Sequence, residues 1–199
     1  MFESCVLENH LVRLETMDSS HLNELAAAGD AADIWRFMPV TLLTPEHFGG
    51  FLQFVDDVRA KDEGIYFACR SQADGKVVGA TGFWNADAKN LRAEIGFTWL
   101  HPDYQRTGFN TSNKLLLMEH GFESLKLNRI EFKTDSLNTK SREALKGIGA
   151  TEEGTLRCHM IQPDGRLRHS VYFSVLKDEW PEVKLRLQSR LERHSSESH

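Results

Sequence analysis

A run that reads as a strand, Glu94–Leu100 (EIGFTWL), feeds through the polar segment His101–Thr111 (HPDYQRTGFNT) straight into an amphipathic stretch, Thr111–Leu125. Leu115, Met118, Phe122 and Leu125 recur there at spacings of three and four, the pattern of one buried helical face. A strand–turn–helix junction of this kind restricts the chain to folds in which sheet and helix pack as layers. It also puts a helix N-terminus, with unpaired N–H groups and partial positive charge, at the end of a strand. An anion placed there gains several main-chain hydrogen bonds at once. Gly108 lets the backbone approach such an anion closely, Arg106 supplies charge, and Asn110 enters the left-handed region more readily than most residues. Taken alone, the same residues also read as an ordinary turn before a helix.

The flanking segments fill in the layers. Leu11–Leu14 alternates as a first strand, and Asp18 caps a helix that Gly29 stops. Thr44-Pro45-Glu46 opens a second helix with a cap, a first-turn proline and an acid at the positive end of the dipole. Phe48, Phe51, Leu52, Val55 and Val58 mark its face, and Gly64 closes it. Asp74-Gly75 joins strand-like Ile65–Arg70 and Lys76–Trp84 as a hairpin. In Glu94–Leu100, strict alternation puts Ile95, Phe97 and Trp99 on one side and Glu94, Gly96 and Thr98 on the other. Arg129–Thr134 is a further strand, and Asn138 caps a helix running to Ile148 and Gly149. Thr155–Ile161 and Arg166–Leu176 pair around Pro163-Asp164-Gly165, and a short helix, Pro181–Leu191, follows. The expectation is one α+β domain over 1–192, with 193–199 (RHSSESH) a flexible tail.

Composition narrows the functional class. With 199 residues, 40% hydrophobic and 27% charged, the chain is long enough to bury a sizeable core. A net charge of −5, with both signs interspersed, argues against nucleic-acid and membrane surfaces as partners. Cys5, Cys69 and Cys158 are odd in number and far apart, which suits reduced thiols and a cytoplasmic location. His21/Glu24 and His120/Glu123 are H-x-x-E pairs without a third ligand, so no metal is expected. Cys158 and His159 are strand neighbours whose side chains diverge, which argues against a nucleophilic dyad.

Three segments taken together carry a resemblance. EIGFTWLHPDYQRTGFNT, NRIEFKTDSLNTKSREALKGIGATEEGTLR and PDGRLRHSVYFSVLKDEW resemble the GNAT superfamily of acetyltransferases, and within it the RimJ/RimL-like branch. The likeness runs from residue 10 to 184 and is strongest over 94–180. It implies a central mixed, mostly antiparallel sheet, splayed in the middle, with helices on both faces and acetyl-CoA in the opening. The pyrophosphate would rest on Gln105, Arg106, Thr107, Gly108, Phe109, Asn110 and Thr111, and the oxyanion on a backbone N–H near Phe97, Trp99 and Leu100. Asn110 stands where the family pattern has a last small residue. Dimerisation is common in such proteins, so a homodimer is an expectation of the same origin.

Acetyl transfer needs a neutral amine, donors for a developing oxyanion and a proton for the leaving thiolate. Ser141 shares an inward stripe with Leu145 and Ile148, and the resemblance makes it the general acid, with Asn138 contacting the pantetheine arm or organising the turn. The competing reading makes Asn138 a helix cap and Ser141 a satisfied hydroxyl. Glu94 is the candidate acceptor of the amine proton, against a solvated strand-end acid. Tyr172 is a rival proton donor. Trp35, Arg36 and Phe37 are candidates for the acceptor pocket, Arg36 as a carboxylate anchor, against aromatic packing beneath a loop. The acceptor is a primary amine, either a small molecule or a protein N-terminus. A non-catalytic acyl-CoA sensor, a partner-docking module and a succinyl-CoA-dependent transferase are the alternatives.

Overall fold

Gly75 takes up φ +71° in the turn between strands Ile65–Ser71 (β3) and Val77–Asp87 (β4), so the Asp-Gly hairpin forms where the turn chemistry predicts it. The structure, a computed structural model, describes residues 1–197, with side chains through His194. Ahead of this hairpin lie Val6–Glu8 (β1), Val12–Thr16 (β2) and the helices Leu22–Ala28 (α1) and Pro45–Ala60 (α2). Thr44 Oγ1 accepts the N–H of His47 at 3.3 Å, the cap expected for α2. After β4 come Arg92–Leu100 (β5), Phe109–Glu119 (α3), Arg129–Asp135 (β6), Thr139–Ile148 (α4), Thr151–Ile161 (β7), Leu167–Leu176 (β8) and Trp180–Glu197 (α5).

The strands form one sheet in the order β1-β2-β3-β4-β5-β6-β8-β7. Every neighbouring pair is antiparallel except β5 and β6, which run parallel. That parallel ladder holds only from Arg92 opposite Arg129 to Glu94 opposite Glu131. Beyond it the two strands part, and the sheet is split in its middle.

Helices cover both faces. On one side Val12, Phe67, Ile95, Ile130 and Phe173 pack against Leu117 of α3, Leu145 of α4 and Leu187 of α5. On the other, Tyr66, Ala68, Ala80 and Trp99 pack against Leu25 of α1 and Phe48 and Leu52 of α2. The two faces thus have separate cores.

Four expectations are corrected. β1 precedes the first expected strand and pairs with β2, Leu7 opposite Leu14. The helix expected over Thr111–Leu125 starts at Phe109, stops at Glu119 and gives way to a π-helical turn, His120–Ser124. α5, expected to end at Leu191, continues to Glu197, and the last residues of the expected tail, 198–199, lie outside the described residues. Strict alternation fails in β5: Ala80 faces Trp99 but Gly82 faces Gly96, so Phe97 and Thr98 together oppose Thr81. Phe97 sits at φ +50° in this bulge and turns to the Trp99 face, away from Ile95.

Candidate active site

The split between β5 and β6 opens into a cavity of about 500 Å³. Its walls come from Glu94–Thr98 of β5, Phe132–Asp135 of β6, Asn138, Ser141 and Leu145 at α4, and Arg168 of β8. An apolar side is closed by Phe37, Met38, Pro39 and Val40 together with Phe51 and Phe54 of α2. Phe97, carried into this space by the bulge, stacks on Phe51 with ring centroids 4.2 Å apart.

At the end of β5 the chain makes the turn that the sequence singles out. Gln105 Nε2 donates to the carbonyl of Leu100 at 3.0 Å and ties the turn to the strand. Thr107 Oγ1 donates to the carbonyl of Tyr104 at 2.5 Å. Arg106 and Gly108 both adopt positive φ, +64° and +90°, and Gly108 is the N-cap of α3. The first main-chain bond into the helix runs from Ser112 N–H to the Gly108 carbonyl at 2.8 Å. Ahead of it, the N–H groups of Phe109, Asn110 and Thr111 meet no protein acceptor among the described residues. The side chain of Phe109 is buried against Tyr104, so only its main chain can serve a ligand. Asn110 is held by its neighbour one turn on, whose Lys114 Nζ donates to Asn110 Oδ1 at 2.8 Å. Lys114 also lines the cleft, so the turn and the cavity meet at this pair. Burial, with Arg190 as a lesser contributor, pushes its pKa down to about 8.

Glu94 is buried, not a solvated strand end. It is 2% exposed, and its Oε2 lies 3.3 Å from Lys133 Nζ and 3.3 Å from Asn85 Nδ2. Lys133 Nζ stands 4.4 Å from the ring centre of Trp84 and 5.8 Å from that of Tyr172. The phenol of Tyr172 is raised above its usual value, first by burial and then by the charge of Glu94. Asn138 caps α4: its Oδ1 accepts the N–H of Ser141 at 3.0 Å. Both residues line the cavity, so the cap and the cleft wall are one and the same turn.

Several candidates fall elsewhere. The side chain of Trp99 is buried among Trp35 and Phe48, and Leu100 enters the opposite core, so neither offers a side chain to the cleft. Trp35 is a core anchor: it is 4% exposed and its Nε1 donates to the Gly29 carbonyl at 3.0 Å. Arg36 is exposed over the Phe37 ring and away from the cavity, and of the three only Phe37 lines it. The sequence reading missed Lys133, Lys114, Trp84 and Arg168. The alternation Ile130–Phe132–Thr134 does set Lys133 on the other face of β6, but nothing local says that this face borders a cleft.

Comparison with known proteins agrees with this geometry. The family described as acetyltransferase (GNAT) domain matches residues 12–151. The N-acetyltransferase p20 of Bacillus licheniformis is 30% identical over 168 residues, covering 84% of this chain and 93% of that protein. The crystal structure of a GCN5-related N-acetyltransferase from Brucella melitensis superposes with a TM-score of 0.87 at 32% identity, covering 96% of this chain and 86% of that one. Mycobacterium smegmatis RimJ, solved with CoA-disulfide, shares the fold with a TM-score of 0.80 at 20% identity, covering 94% of this chain and 93% of that one. A split sheet, a helix N-terminus with unpaired amides beside it and these matches have one common meaning: the chain belongs to the GNAT family and is an acetyltransferase.

Proposed function

We propose that this enzyme transfers the acetyl group of acetyl-CoA directly to a primary amine, in a ternary complex, as a RimJ/RimL-like member of its family. One observation carries the reading. The β5–β6 ladder ends at Glu94 and Glu131, and the cavity beyond it adjoins a turn whose amides have no protein acceptor. A diphosphate suits that turn, because three N–H groups and the helix dipole converge there. The CoA-disulfide bound to Mycobacterium smegmatis RimJ supports the same ligand class for this chain.

The chain's residues then divide the work. The bulge removes Phe97 and Thr98 from the β4 ladder, which supports their N–H groups as donors to the oxyanion. Glu94 accepts the proton of the incoming ammonium, directly or through water, and Lys133 Nζ, 3.3 Å away, holds its carboxylate in place. A carbon–nitrogen bond forms, the carbon–sulfur bond breaks, Ser141 Oγ–H protonates the leaving thiolate, and the proton shed by the acylated nitrogen restores the serine hydroxyl through water. Phe37, Phe51 and Phe97 exclude water from the reacting atoms.

The test is incubation of the purified protein with acetyl-CoA and a panel of amines, namely amino acids, polyamines and peptides with free N-termini. Release of CoA thiol in step with acetylated product is expected for at least one acceptor class. Tight CoA binding with no thiol release for any of them would leave a binding module and reject transfer.

A further inference from the structure

A buried arginine normally has its charge answered by a carboxylate. Arg168 does not. It lies on β8 with Ser170 and Tyr172 on its face, opposite the core residues Val171 and Phe173. It is 4% exposed and lines the same cavity as Glu94. Its Nε has no hydrogen-bond partner, and among the described residues no carboxylate comes within ion-pair distance of it. The acids that face it are already engaged. Asp135 accepts from Arg166 Nη2 at 2.6 Å and from the Leu137 N–H at 2.9 Å, and Glu94 is paired with Lys133. Burial holds the guanidinium below its ordinary pKa, as expected of a cation lacking a partner. Trp84 Nε1, a second buried donor without a partner, lines the same cavity.

We infer that Arg168 receives a carboxylate of the acceptor, and that the acceptor is a free amino acid with an apolar side chain. This rests on the acetyl-transfer reading and names the substrate class for it. A planar guanidinium matches a carboxylate with two parallel hydrogen bonds, which fixes orientation as well as position. With the carboxylate at Arg168 and the amine toward Glu94, the apolar side chain meets Phe51 and Met160 of the cavity wall. Arg36, a candidate anchor in the sequence, is exposed and outside the cavity, so this role falls to Arg168.

The experiment uses the full chain with acetyl-CoA and compares L-phenylalanine and L-methionine with their carboxamides. The acids are expected to exceed the amides in kcat/KM by about tenfold or more, because a site built for a charged partner rejects the analogue that lacks it. Arg168→Gln is expected to collapse that ratio toward one, chiefly by raising KM for the acids, and Arg168→Lys to restore part of it. A merely structural role would lower acid and amide alike and leave the ratio intact, which overturns the inference. So does a wild-type enzyme that acetylates amides or peptides lacking acidic groups as well as the amino acids. Calorimetric titration of L-phenylalanine into the CoA-saturated protein separates the two readings. Binding lost in R168Q without any turnover would uphold the carboxylate site and reject acetyl transfer. Absence of both binding and turnover would reject the site itself.

Discussion

The ammonium of Lys133 lies 3.3 Å from the carboxylate of Glu94, at the point where β5 and β6 part. Both side chains are buried, at 8% and 2% exposure, so each charge depends on the other for its place in the cleft. Removing one partner strands the other. Lys133→Met is therefore expected to destabilise the fold by about 3–5 kcal/mol, and the double variant with Glu94→Gln by clearly less. Urea unfolding of the two single variants and the double one measures this coupling. Additive losses would mean that the pair does not interact.

Ser141 and Tyr172 compete for the role of proton donor to the thiolate, and geometry favours the serine. It stands in the turn that Asn138 caps, on the cavity wall, whereas Tyr172 is not among the residues that line this cavity. Ser141→Ala is expected to lower kcat about a hundredfold with little change in KM for acetyl-CoA. Tyr172→Phe should cost much less. The reverse order in steady-state kinetics would transfer the role to the tyrosine.

Gly108 holds φ +90°, and a methyl group there would come within 3.3 Å of Leu11 Cδ2. An alanine in this conformation costs about 1–2 kcal/mol and disturbs the amides on either side. Gly108→Ala should weaken acetyl-CoA binding by about tenfold or more in calorimetry while lowering stability by no more than that strain. Unchanged affinity would show that the turn is not the phosphate site.

Lys114 supplies a pH signature. Its folded pKa is about 8, against an ordinary value of 10.5. Below pH 8 it is protonated in both states, and the folded state bears the cost of burying the charge. As pH rises from 8 toward 10.5 the folded form loses its proton first, so stability should rise through that window. Lys114→Met removes the cost and should be more stable at neutral pH by on the order of 3 kcal/mol at most, with a flatter profile between pH 8 and 10. Thermal melts across that range decide it.

Local chemistry made much of this fold legible. The caps at Thr44 and Asn138, the Asp74-Gly75 turn and the glycine before α3 all declare themselves through residues whose backbone preferences are strong. What stayed hidden depends on tertiary context. β1 is three residues long and too short to show a period. A bulge at Phe97 reverses the facing of one aromatic residue without any local mark, since phenylalanine has no preference for positive φ. Trp35 and Phe37 are indistinguishable as aromatic residues in a loop, yet one anchors a core and the other lines a cavity. Arg168 and Lys133 look like the solvent-facing members of alternating strands. Only the arrangement of the central strands makes that polar face an interior.

The last helix ties the two halves of the molecule together. Lys184 of α5 bonds Glu119 at 2.6 Å, and Trp180 Nε1 donates to Glu123 at 2.8 Å, which fastens α5 to the end of α3. Leu191 and His194 border Gly108, while Arg190 packs on Gly147 of α4. One rod therefore touches both the turn before α3 and the helix that carries Ser141. A substitution that displaces α5 is therefore expected to disturb both places at once.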